Sequence, residues 1–134
     1  MNSKQEIAIV WLKRDLRLQD NEAIFNAVNT GLKVLFLYVF EPSLLNDNHY
    51  SQRHWNFIKE SIHDINSRLS QFSSKVLSVK GEVIPVFNML SSKFNIKYVF
   101  SHQETGLKIT FKRDKNFKRY CRNNLIEWKE NVNN

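Results

Sequence analysis

Residues Glu6–Leu12 have the sequence EIAIVWL, a short and nearly unbroken apolar run rich in β-branched side chains. Such a run predicts a strand that is covered on both faces. Lys33–Phe40 (KVLFLYVF), Lys75–Val79 (KVLSV) and Ile96–Ser101 (IKYVFS) have the same character, and Leu125–Lys129 (LIEWK) is a shorter candidate. Strands of this kind are typical of parallel sheets, in which a crossover connection, usually a helix, separates successive strands.

The segments between these runs have helical spacing. Asp20 is the candidate N-cap of a helix over Asn21–Thr30 that Gly31 would end, and Ser51 is the candidate cap of a longer helix to about Leu69. Pro85 fits only the first turn of a third helix. The apolar residues expected to face inward are Ile24, Ala27 and Val28 in the first helix, Trp55, Ile58, Ile62, Ile65 and Leu69 in the second, and Val83, Val86, Phe87, Leu90 and Phe94 in the third.

A fourth helix between the last two strands completes a strict alternation of strands and helices. This alternation predicts a single α/β domain over residues 1–134. We expect a three-layer, doubly wound sandwich with a five-stranded, parallel, Rossmann-like sheet of order 3-2-1-4-5 and helices on both faces. In such sheets the ligand crevice lies beyond the carboxyl ends of the strands, where the strand order reverses.

The positive charge of the chain is concentrated in the fourth helix. The net charge is +7, and the segment from Lys108 to Arg122 contributes seven basic residues and one acid, Asp114, which leaves +6. Residues 108, 112, 115, 119 and 122 share one helical face. The stripe could contact a polyanion such as DNA. The favoured interpretation is a solvated outer face, because neither glycine nor aromatic residues interleave the cations to mark a base-stacking surface.

Composition excludes several classes of function. The longest apolar run, Val34–Phe40, is far shorter than the roughly 20 residues of a membrane helix, and Met1–Glu6 is too polar for a signal peptide. Cys121 is the single cysteine, and the four histidines lack the spacing of metal ligands. The three glycines form no phosphate-binding loop. We therefore expect a cytoplasmic protein without membrane contact, metal or a nucleophilic centre.

Three motifs carry a resemblance to a known family. The first strand runs into Trp11–Asn21, W-L-K-R-D-L-R-L-Q-D-N, and this specific loop resembles the start of the DNA photolyase/cryptochrome family. The second motif is the helix Ser51–Leu69, with Trp55, Phe57, Ile58, Glu60 and Ser61. The third is Ser101–Gly106, followed by Arg113-Asp114 and Cys121-Arg122. The resemblance extends from about Ile7 to Trp128 and corresponds to the family's N-terminal α/β domain.

The resemblance implies a light-harvesting role. Photolyases are lyases that use light and FAD to split pyrimidine dimers in DNA, and the FAD lies in a C-terminal helical domain beyond the matched region. The N-terminal domain holds an antenna chromophore, which is a reduced folate, a deazaflavin or a flavin. We therefore expect this chain to bind an antenna chromophore and not to be catalytic alone, with a C-terminal FAD domain as partner. DNA contact, for repair or blue-light sensing, would come through the whole protein and be weak or absent here.

An alternative remains open: a stand-alone nucleotide- or flavin-binding module, or a partner-docking module, without catalytic activity. If the antenna interpretation holds, the expected cofactor-binding residues lie at the carboxyl ends of the strands and at the start of the long helix. Trp11, Leu12, Phe40 and Glu41 would wall the crevice, although Trp11 could equally be core. Arg14 lies in the first loop, and His49 and Arg53 would attract an anionic tail unless they are only surface residues. His102, Gln103 and Glu104 would bond the polar edge of a ring.

Overall fold

A computed structural model of the chain describes residues 4–13, 16, 18–19, 21–48, 50–72, 74–104 and 107–131. The ten elements are β1 (Gln5–Leu12), α1 (Glu22–Val28), β2 (Lys33–Phe40), α2 (Pro42–Leu45), α3 (Gln52–Leu69), β3 (Val76–Lys80), α4 (Val83–Lys93), β4 (Phe94–His102), α5 (Lys108–Asn123) and β5 (Glu127–Asn131). A single 3-10 turn, Ser70–Phe72, follows α3.

The five strands form one parallel sheet of order β3-β2-β1-β4-β5, as the sequence predicts. The chain first moves outward from β1 through β2 to β3, and then returns to the other side of β1 to add β4 and β5. The strand order therefore reverses between β1 and β4, and their carboxyl ends mark the expected ligand edge.

Alternation along β1 divides the core between the two faces of the sheet. Ala8, Val10 and Leu12 pack in a cluster with the buried residues of α1 and α3. Ile7, Ile9 and Trp11 pack in a second cluster with α4 and α5. All six side chains are buried, which is why the run shows no alternation of apolar and polar residues.

The first helix begins differently from the prediction. Asn21 is the N-cap of α1, and its side-chain Oδ1 accepts the backbone N–H of Ile24 at 3.1 Å. Asp20, which the sequence predicted in this role, lies outside the described residues. Val28 was predicted to face inward and is instead 60% exposed, because α1 is only two turns long and turns its narrow apolar face, Ala23 and Ala27, to the sheet.

Several other bounds also differ from the sequence prediction. Phe94 begins β4 instead of ending α4, and β5 starts at Glu127 because Leu125 has a φ of 57° and lies in an exposed turn. The short helix α2 was not predicted. A residue distant in sequence, Glu82, caps the first turn of α2. Its carboxylate accepts hydrogen bonds from the Ser43 backbone N–H at 2.8 Å and from the Ser43 hydroxyl at 3.0 Å.

The two long helices match their predicted patterns. Ser51 caps α3, with its hydroxyl accepting the His54 backbone N–H at 3.2 Å, and all five predicted apolar positions of α3 are buried. In α5 the inward side chains are Thr110, Phe117 and Cys121. Burial raises the pKa of the Cys121 thiol to about 12. Within the described part of the chain, no helix is both long and apolar enough to span a bilayer.

Candidate functional site

The carboxyl ends of β1, β2 and β4 bring charged side chains together at one edge of the sheet. Lys13 follows β1, Glu41 follows β2, and Glu104 lies two residues beyond β4. The first turns of α5 add Arg113 and Asp114 from above. Because β1 lies between β2 and β4, the five charges meet at the point where the strand order reverses. We call these five residues the rim cluster.

Arg113 is the centre of the rim cluster. One terminal guanidinium nitrogen donates to Glu41 Oε1 at 3.0 Å, and the other donates to Glu104 Oε1 at 2.6 Å. Its Nε donates to Asp114 Oδ1 at 2.9 Å. Side-chain exposure is 10% for Arg113 and 4% and 9% for the two glutamates, so these ion pairs are largely shielded from water.

Lys13 adds a second buried cation to the cluster. Its Nζ lies 3.8 Å from Glu104 Oε1 and 3.7 Å from Asp114 Oδ1. It also lies 4.1 Å from the centre of the Trp11 ring, while the Arg113 guanidinium carbon is 4.9 Å from that ring. Burial and the nearby Arg113 charge lower the pKa of Lys13. The indole ring of Trp11 thus faces two cations and is itself 1% exposed.

Burial also changes the protonation of the acids near Arg113. Burial raises the pKa of Glu41 to about 7, against the opposing attraction of Arg113. For Arg113, burial disfavours the charge, but Glu41, Glu104 and Asp114 outweigh burial and raise its pKa. Burial, together with the charges of Glu104 and Glu41, raises the pKa of the Tyr38 hydroxyl. At neutral pH the Glu41 carboxyl is therefore close to its midpoint of protonation.

A small cavity lies beside the rim cluster, between the ends of β1 and β2 and the helix α3. Its volume is about 30 Å³, which is the space of roughly one water molecule. Glu41 Oε2, an acceptor, and Trp55 Nε1, a donor, are buried in its wall and have no hydrogen-bond partner among the residues that the structure describes. The wall residues are Trp11, Leu12, Lys13, Tyr38, Val39, Glu41, Leu44, Tyr50, His54, Trp55, Ile58, Glu104 and Arg113.

Three rings form the α3 side of the cavity. Tyr50 lies 4.9 Å from His54 and 5.3 Å from Trp55, and His54 lies 4.8 Å from Trp55, measured between ring centres. Tyr50 and His54 are partly exposed, whereas Trp55 is buried. Tyr50 and His54 are therefore the rings that lie between the cavity and solvent.

The predicted site residues divide into three groups. Trp11, Leu12, Glu41 and Glu104 line the cavity, and Trp11 also packs in the core against Phe87 and Phe117. Four others do not line it. Phe40 packs against Tyr38 and Trp55, and Arg53 is exposed on α3. His102 is buried at the end of β4, and the backbone N–H of Gln103 donates to Asn131 at the end of β5. Arg14 and His49 lie outside the described residues.

Sequence reasoning missed Lys13, Arg113, Tyr50, His54 and Trp55 as site residues. Trp55 was assigned to the core from its helical spacing, and Lys13 was noted only as a member of the Trp11–Asn21 motif. For Arg113 a signal existed, because this arginine and Asp114 fall off the exposed basic stripe of α5. An arginine on the inward side of a helix needs buried carboxylate partners, and Glu41 and Glu104 at the strand ends were available for this role.

The chemistry of the cavity wall is that of a binding site. Among the residues that the structure describes, no group of three histidine, cysteine or acidic side chains could hold a metal ion. The wall offers aromatic rings, the acceptor Glu41 Oε2 and the donor Trp55 Nε1, neither of which bonds a residue that the structure describes. These groups can bond the polar edge of a ring, but a complete ligand pocket occupies roughly 300 Å³ or more. The crevice expected at the sheet edge is thus mostly filled by the rim cluster, and a large ring enters only if wall side chains move.

Comparisons with known proteins agree with this architecture. The family model for DNA photolyase matches residues 8–134. Cryptochrome DASH of Synechocystis sp. is 27% identical over 101 residues, which are 72% of this chain and 21% of that protein. A solved Synechocystis cryptochrome matches 98% of this chain and 28% of its own, with a TM-score of 0.88 at 23% identity.

A third match is an archaeal photolyase of Sulfolobus tokodaii, whose structure is described as holding two FAD molecules and implying a novel light-harvesting cofactor. It covers 94% of this chain and 29% of its own, with a TM-score of 0.82 at 22% identity. The chain belongs to the DNA photolyase family and has the fold of its N-terminal α/β domain. It spans about a fifth or less of the length of the curated relatives it matches.

Proposed function

We propose that this chain is an antenna domain: it binds a planar, light-absorbing chromophore at the carboxyl edge of the sheet and is not catalytic by itself. The observation that supports the proposal is that Glu41 Oε2 and Trp55 Nε1 lie in one cavity wall, each buried and without a hydrogen-bond partner in the described part of the chain. Leaving such groups unpaired costs about 1–3 kcal/mol each. A ring edge that carries both a donor and an acceptor would satisfy them together.

The chromophore classes that fit this edge are a reduced folate, a deazaflavin and a flavin, since each presents donors and acceptors on a flat ring. When bound, such a group would absorb light and pass the excitation on. Trp55 would donate to the ring, Glu41 would accept from it while ionised, and Arg113 would fix the Glu41 carboxylate at 3.0 Å. The Sulfolobus photolyase, with its second FAD, is a precedent for a flavin in a family member.

Access to Glu41 and Trp55 requires movement of the wall. The cavity of about 30 Å³ is roughly tenfold smaller than a typical ligand pocket. Tyr50 and His54 are the partly exposed members of the three-ring wall, so they are the side chains that would turn outward. The rim cluster stays in place in this proposal, because Arg113 is bonded from three sides.

The whole protein would use this domain alongside a C-terminal FAD domain, with light-driven DNA repair or blue-light sensing as the outcome. That assignment follows from family membership, and cytoplasmic location remains a prediction from composition. The alternative is a docking module that holds no small molecule, and the observation that favours it is the small volume of the cavity.

The test is a titration of the purified chain with methenyltetrahydrofolate, a deazaflavin, FMN and FAD, followed by chromophore absorption and fluorescence. We expect one of them to bind at micromolar concentration. Trp55→Phe keeps the aromatic wall but removes the donor, and should raise the Kd about tenfold. Trp128→Phe is the matched control, because its Nε1 is bonded to Ser101 Oγ at 2.9 Å, outside the cavity. Failure of every probe would favour the docking module, whereas binding with equal Kd values for both variants would mean that the chromophore does not bond Trp55 Nε1.

A further inference from the structure

The exposed face of α5 carries positive charges that form no ion pair with the described part of the domain. The structure sorts the charged residues of this helix into two sets. Arg113 and Asp114 turn inward to the rim cluster. The other six basic residues are all exposed, and none makes an ion pair with any residue the structure describes: Lys108, Lys112, Lys115, Lys118, Arg119 and Arg122. Asp114 is the single acidic residue of α5, and it pairs with Lys13 and Arg113 in the rim cluster. The exposed side of α5 therefore carries six positive charges and no negative charge of its own.

The six cations occupy one continuous face, which we call the α5 face. At the regular rotation of an α-helix, their directions fall within an arc of about 120°. From residue 108 to residue 122 the helix rises roughly 21 Å. Six cations spread over that distance can contact up to six phosphates of a flexible single strand. The face therefore matches the length and charge of a short stretch of phosphate backbone.

An aromatic ring stands among these cations. Phe111 is 72% exposed and lies within the arc of the α5 face, between Lys108 one turn before it and Lys115 one turn after it. No aromatic residue was expected among the cations, and the exposed ring of Phe111 shows that this expectation was wrong. An exposed ring beside phosphate-binding lysines is the arrangement on which an unpaired base stacks.

We propose that the α5 face binds single-stranded nucleic acid, with its phosphates on the six cations and a base on Phe111. A duplex does not offer a base for stacking, so it would gain only the charge attraction. A bilayer is disfavoured because the apolar side of α5, Phe117 and Cys121, is already buried in the core. This proposal is independent of chromophore binding, since none of the exposed α5 residues lines the cavity.

The experiment measures fluorescence anisotropy of a labelled oligothymidylate of about twelve nucleotides with the full chain over a range of salt concentrations. We expect the logarithm of affinity to fall with the logarithm of salt with a slope of about −4, as for six contacts on a single strand. Lys112→Ala/Lys115→Ala/Arg119→Ala should reduce that slope by about half and lower the affinity at least tenfold. Phe111→Ala should lower the affinity at least fivefold and leave the slope unchanged.

Lys59→Ala/Lys75→Ala/Lys93→Ala is the matched control, because it removes three exposed lysines from other elements. A loss of affinity equal to that of the α5 triple variant would overturn the proposal, since only net charge would then matter. Tighter binding of a duplex of equal length, with no effect of Phe111→Ala, would overturn it as well. So would binding to anionic phosphatidylglycerol vesicles without binding to the oligonucleotide. Circular dichroism of each variant confirms that the fold is intact.

Discussion

The guanidinium of Arg113 lies 3.0 Å from Glu41 Oε1, although 72 positions separate the two residues in the chain. This contact joins the first turns of α5 to the end of β2 across the central strand β1. Both side chains are at least 90% buried. The contact thus holds α5, which carries the exposed cations, against the end of β2 beside the cavity.

Arg113→Ala should destabilise the fold strongly. The substitution leaves Glu41, Glu104 and Asp114 without their main partner in a shielded environment, which costs about 3–5 kcal/mol. Urea denaturation measures the loss. Lys112→Ala, at the neighbouring exposed position, is the control and should change the free energy of unfolding by less than about 0.5 kcal/mol. Similar values for the two variants would mean that the buried ion pairs do not form in solution.

Glu41 should give the stability of the domain a distinct pH dependence. The folded pKa of Glu41 is about 7 and its ordinary value is 4.5, so between these values the folded state holds a proton that the unfolded state has released. Stability therefore falls by about 3 kcal/mol as the pH rises through this window, is fully retained below it, and stays reduced above it. Glu41→Gln should flatten the curve between about pH 4.5 and 7.

The measurement is the difference between the wild-type and Glu41→Gln unfolding free energies at each pH. Because the other titrating groups are present in both proteins, their contribution to the pH dependence of the unfolding free energy cancels in this difference. Arg113 and Glu104 remain next to position 41 in both proteins, as does the more distant Glu82. Parallel curves for the two proteins would show that Glu41 titrates at its ordinary pKa despite its burial.

Asn21→Ala should destabilise α1 because it removes the side-chain acceptor for the Ile24 backbone N–H. The expected cost is about 1 kcal/mol. Asn29→Ala at the other end of α1 is the control, since Asn29 caps that end through its backbone N–H. Thermal unfolding followed by circular dichroism measures both. An equal, small change for the two variants would argue against capping by Asn21.

Gly31→Ala isolates the cost of a left-handed backbone. Gly31 has a φ of 75°, and an added Cβ would meet no atom within 4 Å, so the substitution introduces backbone strain without a clash. We expect a loss of about 1–2 kcal/mol in the free energy of unfolding. Gly31→Asn should cost less, because asparagine tolerates this region better. Equal stability of the wild type and Gly31→Ala would contradict the turn geometry.

The sequence predicted the fold well because the signals for it are local. The run Lys33–Phe40 is a strand with the predicted bounds, and Ser51 caps α3 as expected. Errors arose where adjacent residues offer the same chemistry, as with Asp20 and Asn21. They also arose where a helix was shorter than its apolar pattern, as at Val28. Such choices depend on how the chain packs and not on the residue type alone.

The site was harder to predict because its contacts are long-range. Trp11, Glu41 and Glu104 were found from their places at the strand ends, where parallel strands gather their side chains. The partners of these residues are on helices. Arg113 is nine residues from Glu104 but 72 from Glu41, and no local pattern joins all three. The small size of the cavity follows from these charged side chains filling the crevice.

The burial of Cys121 has a practical consequence. With its pKa near 12, the thiol is protonated at neutral pH and inert to maleimide reagents, which react with the thiolate. Since the sequence has one cysteine, a replacement such as Ser67→Cys, at an exposed position of α3 outside both the cavity and the α5 face, would create a single reactive labelling position on an otherwise native background. A dye attached there could report distances to a labelled oligonucleotide or a chromophore by energy transfer, without first deleting the native thiol.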